Sequence, residues 1–234
     1  MKILEKDITL LIPAKNEEKS LPIVLQNFKN FKYKILVVLS KNDFKTFNAI
    51  KNSNCEIVFQ KNPGYGAALK YGIGLINTKY LCIFNADGSF SHREIPKMAN
   101  NLKCTDKTGF VFGSRYSKNG CSEDDTFLTF IGNKFFTFFC RFFFKINLSD
   151  ILYTYVIGKT NLFKKCKLRE NNFCICVELP LKVHNNNFVY SEISSYEKKR
   201  IAGVKKVNEF KDGLLILNYL IQYYIKKNFF KKKF

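Results

Sequence analysis

Tryptophan is absent from the 234 residues, and histidine and methionine occur only twice each. The eight cysteines (55, 82, 104, 121, 140, 166, 174 and 176) form no CxxC pair, and neither histidine lies near a cysteine pair. That spacing excludes the usual zinc sites. Acids are scarce, with 19 Asp+Glu against 39 Lys+Arg and a formal charge of +20. The imbalance suits an anionic partner: nucleic acid, a phosphorylated substrate or an acidic membrane surface. The lesser alternative is a lysine-rich composition with no such partner. No uninterrupted apolar run reaches the ~20 residues of a spanning helix. The two nearest stretches, 127–144 and 214–225, are interrupted by polar groups and are expected to lie on a membrane rather than cross it. A charged opening that leads into a strand argues against a secretory leader. Unpaired thiols fit a reduced, cytoplasmic setting.

What is present is a core. Hydrophobic residues make up 46% of the chain, too many for disorder and enough for one sizeable α/β unit. Short apolar runs at 8–14, 34–40, 55–60, 80–87 and 109–116 read as strands. Between them, 17–31, 43–51, 62–76 and 95–102 read as helices, the third entered through the glycine-rich "NPGYG". Such alternation predicts a doubly wound, mostly parallel sheet covered by helices, with ligands at the carboxyl ends of the strands. The loops 14–17, 39–43, 60–66, 85–89 and 113–116 would then converge on one crevice. Beyond residue 116 a polar loop precedes a helix at 127–145, with Phe127, Ile131, Phe135, Phe138 and Phe142 on one stripe beside Lys134, Arg141 and Lys145. A further helix and strand follow, then a helix at 212–225 and a tail with five lysines in its last nine residues. The expected organisation is a single domain over 1–234. Residues 8–116 would bind the ligand, 117–212 form the opposite side, and 213–234 supply a C-terminal helix and basic tail.

Within that crevice "FNADGS" places Asp87 just past a buried strand. An aspartate there either caps a turn or ligates a hard divalent cation on a diphosphate, which needs only one or two carboxylates. Asn85 could add a carbonyl oxygen and Ser89 a hydroxyl. Gly64 and Gly66 either let phosphate approach the backbone or only let a helix pack closely. Arg115, at the end of the fifth strand, offers a planar fork for phosphate oxygens.

The ordered set "LLIPAKNEE", "QKNPGYGAALKYG", "FNADGSFSHREIP", "GSRY", "GN", "SDILYTY" and "SYEKKRIAGVKKVNEFKDGLLIL" resembles family 2 glycosyltransferases of the dolichyl-phosphate-mannose-synthase type, over roughly residues 8–218. The resemblance implies a type A nucleotide-sugar transferase fold. It also implies a nucleotide-diphospho-sugar donor, Mg2+ or Mn2+, inversion at the sugar carbon, and a lipid-linked phosphate acceptor at the inner membrane face. By position, Pro13, Ala14 and Glu17 would line the nucleoside pocket, with Asp87 and Ser89 at the metal. Arg115 would face phosphate, and Asp150 would stand on the acceptor side. Arg200, Gly203 and Lys205 would belong to a basic loop closing over the phosphates. The sequence departs from the pattern at three places. Asn85 stands for the first acid, and Leu39 for an aspartate that contacts the base, with Asp43 as a shifted substitute. No arginine precedes the "GN" pair. A sugar-nucleotide-binding or scaffolding role without catalysis is the competing expectation. A nucleic-acid module fits poorly, because the basic residues are scattered and the aromatics fall on buried-looking stripes.

Overall fold

The computed structural model describes residues 3–103 and 107–229. Cys104 and the last three lysines of the tail lie outside the described residues. Strand β1 (Ile8–Ala14) is almost wholly buried. Helix α1 (Leu21–Gln26), β2 (Lys34–Leu39), α2 (Phe44–Ile50), β3 (Glu56–Phe59), α3 (Tyr65–Leu75), β4 (Tyr80–Ile83), α4 (Ile95–Lys103) and β5 (Thr108–Ser114) follow in the expected alternation. Then come β6 (Cys121–Ser122), α5 (Phe127–Phe144), β7 (Val156–Lys159), α6 (Thr160–Lys165), α7 (Ile175–Asn185), β8 (Val189–Ser194), β9 (Tyr196–Glu197) and α8 (Glu209–Phe229).

The main sheet has the order β3-β2-β1-β4-β7-β5-β8, and β6 pairs with β9 in a small second sheet. Among the seven strands only β7 runs against the rest, pairing antiparallel with both β4 and β5. The expected mostly parallel sheet is therefore present. One strand of the second half is threaded between two strands of the first, and β8 extends the sheet beyond β5. β7 was not legible in the sequence. Its run, "VIGK", is four residues long, and its Val and Ile belong equally to a helix flank. Only the open sheet edges of β4 and β5 select it.

Along β1 the side chains alternate between two cores. Leu10 and Ile12 pack with α1 and α4, and Leu11 packs beneath α3. Both faces are covered, which is why the strands read as continuous apolar runs. Helix α1 is shorter than its apolar period. Its first turn begins at Leu21–Pro22, because the Glu17 N–H is taken by the Thr46 hydroxyl and Ser20 turns back on Glu17. The fourth strand is also shorter than expected. Its ladder ends at Ile83, the Phe84 N–H makes one last bond to Leu11, and Gly88 at φ +83° turns the chain back. At α3, Gly64 sits at φ +116° against the Asn171 carbonyl, and a Cβ on Gly66 would fall 2.4 Å from the Glu170 carbonyl.

Helix α5 turns its predicted stripe away from the core. The stripe Phe127, Ile131, Phe135, Phe138 and Phe142 faces outward, 47–81% exposed, while Phe136, Thr137, Cys140 and Phe144 pack inward. The helix is apolar on nearly all sides. A reciprocal Thr126–Thr129 capping box starts it and Lys145 in the left-handed region ends it. Among the described residues it is the one helix long and apolar enough to cross a membrane, by length and composition alone. Its inner face, however, belongs to the core of this same body, where Phe143 and Phe144 meet Tyr223 and Tyr224 of α8.

Candidate active site

All five strand-end loops contribute to one cleft of about 520 Å³ at the carboxyl edge of the sheet. Pro13, Ala14 and Glu17 enter from β1, Ser40 from β2, Gln60 and Gly64 from β3, Asn85, Asp87 and Ser89 from β4, and Arg115 from β5. The convergence expected from the alternation is present. Arg200 and Lys205 reach the cleft from the segment after β9.

Asp87 is held by its own turn. Its Oδ1 accepts the Ser89 N–H at 3.0 Å, and its Oδ2 lies 3.6 Å from an Arg200 guanidinium nitrogen. Asn85 does not turn its oxygen to the cleft. Its Oδ1 accepts the Phe90 N–H at 3.3 Å, and its amide nitrogen donates to the Ser89 hydroxyl. Ser89 is itself buried. The two residues expected to help a cation are thus spent on shaping the turn, and Asp87 is the outward carboxylate. No group of three or more His, Cys, Asp or Glu able to hold a metal occurs among the described residues. One carboxylate suffices for a hard cation that keeps its waters and shares diphosphate oxygens. The turn therefore fits Mg2+ or Mn2+ as a one-carboxylate site.

Four expectations need correction. Arg115 offers no free fork. Its Nε and one terminal nitrogen grip Asp150 at 2.7 and 3.0 Å, the other terminal nitrogen bonds Glu197 at 3.2 Å, and the guanidinium lies over the Tyr153 ring. Asp150 lines no part of the cleft. It is 1% exposed and serves as the counter-charge of Arg115. Asp43 is the N-cap of α2, accepting from the Thr46 and Asn16 N–H groups, and stands outside the cleft. Gly66 likewise lies outside it, packed on the 170–172 backbone, so it serves close helix packing rather than phosphate approach. Gly203 adopts φ +83° in the basic loop near Glu17.

Sequence reasoning missed several cleft residues. Asp124 and Asp125 approach from the loop before α5, Glu197 from β9, and Phe173 from the segment before α7. The acid run "EDD" was the available signal for the first two. Nothing marked Phe173, which stacks on Tyr65 at 5.2 Å only because loop 169–172 is tied to α3. Burial pushes the Glu197 carboxyl up, opposed by Arg115. Glu17 is also raised, by burial first, with Ser20 and Lys206 opposing. Lys15 is the cleft-lining cation for which no carboxylate partner occurs among the described residues.

Residues 9–167 match glycosyl transferase family 2. The chain belongs to this family. An uncharacterised glycosyltransferase of Mycobacterium tuberculosis is 32% identical over 95 residues, 41% of this chain and 43% of that protein. An uncharacterised protein of Methanocaldococcus jannaschii is 32% identical over 101 residues, 42% of its length. The chain thus spans less than half the length of the curated relatives it matches. In structure it is similar to glucosyl-3-phosphoglycerate synthase from M. tuberculosis, solved with Mn2+, uridine diphosphate and phosphoglyceric acid, at a TM-score of 0.73 and 12% identity, covering 93% of this chain and 78% of that one. Mannosyl-3-phosphoglycerate synthase from Rubrobacter xylanophilus superposes at 0.70 and 11%, covering 94% and 74%. The fold is that of the type A nucleotide-sugar transferases.

Proposed function

We propose that the protein transfers a sugar from a nucleotide-diphospho-sugar, with inversion, to a lipid-linked phosphate such as a polyprenyl phosphate, in the manner of dolichyl-phosphate-mannose synthases. The carrying observation is that the cleft opens against an apolar surface. Thr129 and Asn133 of α5 line the cleft, while Phe127, Phe130 and Ile131 of the same two turns are exposed. On α8, Ile216 reaches the cleft while Phe210, Leu214 and Leu215 face out. Lys134, Arg141, Lys145 and Lys211 flank these apolar residues and are exposed, the composition of a helix seated at an anionic membrane interface. An acceptor whose phosphate lies at headgroup level would meet the cleft there. Attachment would be peripheral, on the cytoplasmic face.

An ionised phosphate is already a nucleophile, so the chain need not supply a strong base. What needs stabilising is the nucleoside diphosphate that leaves. Asp87 would hold Mg2+ or Mn2+, which when bound neutralises charge on that diphosphate. Lys15, Lys205 and Arg200 stand at the cleft to meet its oxygens, and the Arg115–Asp150–Glu197 cluster fixes the wall behind them. The structurally similar synthases act with phosphoglyceric acid, a soluble phosphate, and the test separates the two acceptors. Release of nucleoside diphosphate is measured over a panel of nucleotide sugars with Mn2+. Turnover stimulated by polyprenyl phosphate in vesicles, and not by 3-phosphoglycerate, is the expected result. Stimulation by phosphoglycerate alone would overturn the lipid acceptor. No turnover with any donor would favour the non-catalytic alternative.

A further inference from the structure

The segment after β9 is fastened across the Asp87 turn. Lys198 N–H donates to the Ser89 carbonyl at 2.9 Å and Ile201 N–H to the Asp87 carbonyl at 2.8 Å, with the Ile201 side chain packed over Gly88. Between those two anchors stands Arg200. One of its nitrogens lies 3.6 Å from Asp87 Oδ2 and 3.1 Å from Asp124 Oδ2. Further along, Lys206 lies 3.6 Å from Glu17. The outward carboxylate of the turn therefore already has a positive partner, and Asn85 supplies no second negative charge beside it. A divalent cation arriving at Asp87 would meet a guanidinium a few ångströms away, and like charges at that distance repel.

We propose that Arg200 is the resident counter-charge of Asp87 and that it is exchanged, when donor binds, from the carboxylate to the diphosphate. Resting on the metal reading of Asp87, this makes cation and nucleotide binding mutually dependent. Without nucleotide, Arg200 and the cation compete for one carboxylate. With nucleotide, the guanidinium moves to phosphate oxygens and leaves Asp87 to the cation. Arg200 is thus a positioning residue, acting on the cation through Asp87, and Asp124 sets how firmly it is drawn away. Asp124 takes the shorter of the two contacts, so removing its charge leaves Arg200 to Asp87 alone.

The test is Mn2+ binding by electron paramagnetic resonance, with and without UDP or GDP, on the full chain. The parent should bind Mn2+ weakly alone and more tightly with nucleotide, by a factor inside the roughly 5- to 150-fold range usual for coupled sites. Arg200→Ala should tighten Mn2+ binding in the absence of nucleotide while weakening the nucleotide itself, so the coupling shrinks. Asp124→Asn should do the opposite to the bare protein and weaken Mn2+. A residue that only contacts phosphate would leave nucleotide-free Mn2+ binding unchanged in both variants, and one that only supports the fold would weaken it in both. Either pattern overturns the exchange. If neither parent nor variants bind Mn2+ under any condition, the metal reading of Asp87 falls first and takes the exchange with it. Thermal melts that match the parent establish that each variant is folded. Arg200→Gln, which keeps a long polar side chain but not the charge beside Asp87, should likewise tighten nucleotide-free Mn2+ binding and keeps the test decisive if Arg200→Ala is unstable.

Discussion

Asp87 lines the cleft while Asp150 lies buried outside it, and the two face opposite risks when changed. Asp87 is partly exposed and its carboxylate makes one backbone hydrogen bond and one loose ion pair. Asp87→Ala should leave the melting temperature within a few degrees of the parent and abolish cation-dependent donor binding, read by calorimetry with UDP-sugars and Mn2+. Parental transfer rates in that variant would refute the role given to it. Asn85→Asp adds a carboxylate to a hard-cation site, but Asn85 also donates to Ser89, and an ionised Asp cannot. The variant should therefore tighten Mn2+ while lowering stability, a split visible by titration and melting together. Asp150 is different, being fully buried against a buried arginine. Asp150→Asn leaves the Arg115 charge undercompensated in the interior, which costs about 3–5 kcal/mol. Urea denaturation checks this, and a loss below 1 kcal/mol would mean that Glu197 and Asp125 hold the guanidinium unaided.

At the scale of elements, α5 and α8 carry the membrane proposal. Flotation with anionic vesicles should recover the protein at low salt and lose it as salt rises, since exposed charges are screened. Phe138→Glu with Phe142→Glu should abolish recovery, because both rings are more than half exposed and belong to the outward stripe. Equal, salt-independent failure to float with anionic and neutral vesicles would remove the membrane from the account. Helix α7 offers a second check. The Glu178 carboxylate accepts the Arg169 and Glu170 N–H groups, and burial pushes its pKa above the ordinary 4.5. The folded form therefore holds that proton more tightly than the unfolded chain. Its contribution is fully present below the ordinary value and is lost as pH rises through the raised one. Unfolding free energy measured from pH 4 to 7 should fall with pH in the parent relative to Glu178→Gln. A parallel pair of profiles would contradict the direction.

For the whole molecule, the test of whether α5 stays on the body is chemical. Cys140, on its inner face, is buried and its thiol is pushed up to about 12, as is that of Cys166 under α6, while Cys121 is exposed. Alkylation mapped by mass spectrometry should mark Cys121 quickly and spare Cys140 and Cys166 until the chain unfolds. Protection of Cys140 should persist on anionic vesicles if the helix lies at the interface. Rapid labelling there would mean that α5 leaves the core to enter the bilayer.

The alternation of apolar runs with amphipathic periods was local information, and it determined the parallel sheet, the side of the sheet that holds the cleft, and the placement of Asp87 at a strand end. Local pattern is sufficient there because a strand buried on both faces must be apolar throughout, and its following loop must open at the carboxyl edge. What the chain does with its charges was decided only by tertiary structure. Arg115 and Asp150 are 35 residues apart, and no local pattern says that a strand-end arginine will be claimed by a carboxylate from beyond α5 rather than by phosphate. The same holds for Arg200 and Asp87, for β7 slipping between β4 and β5, and for the outward turn of the α5 phenylalanines. That last choice depends on which of two apolar faces finds a core to fill, and on a helix in which 9 of 18 residues are phenylalanine the sequence leaves both faces apolar.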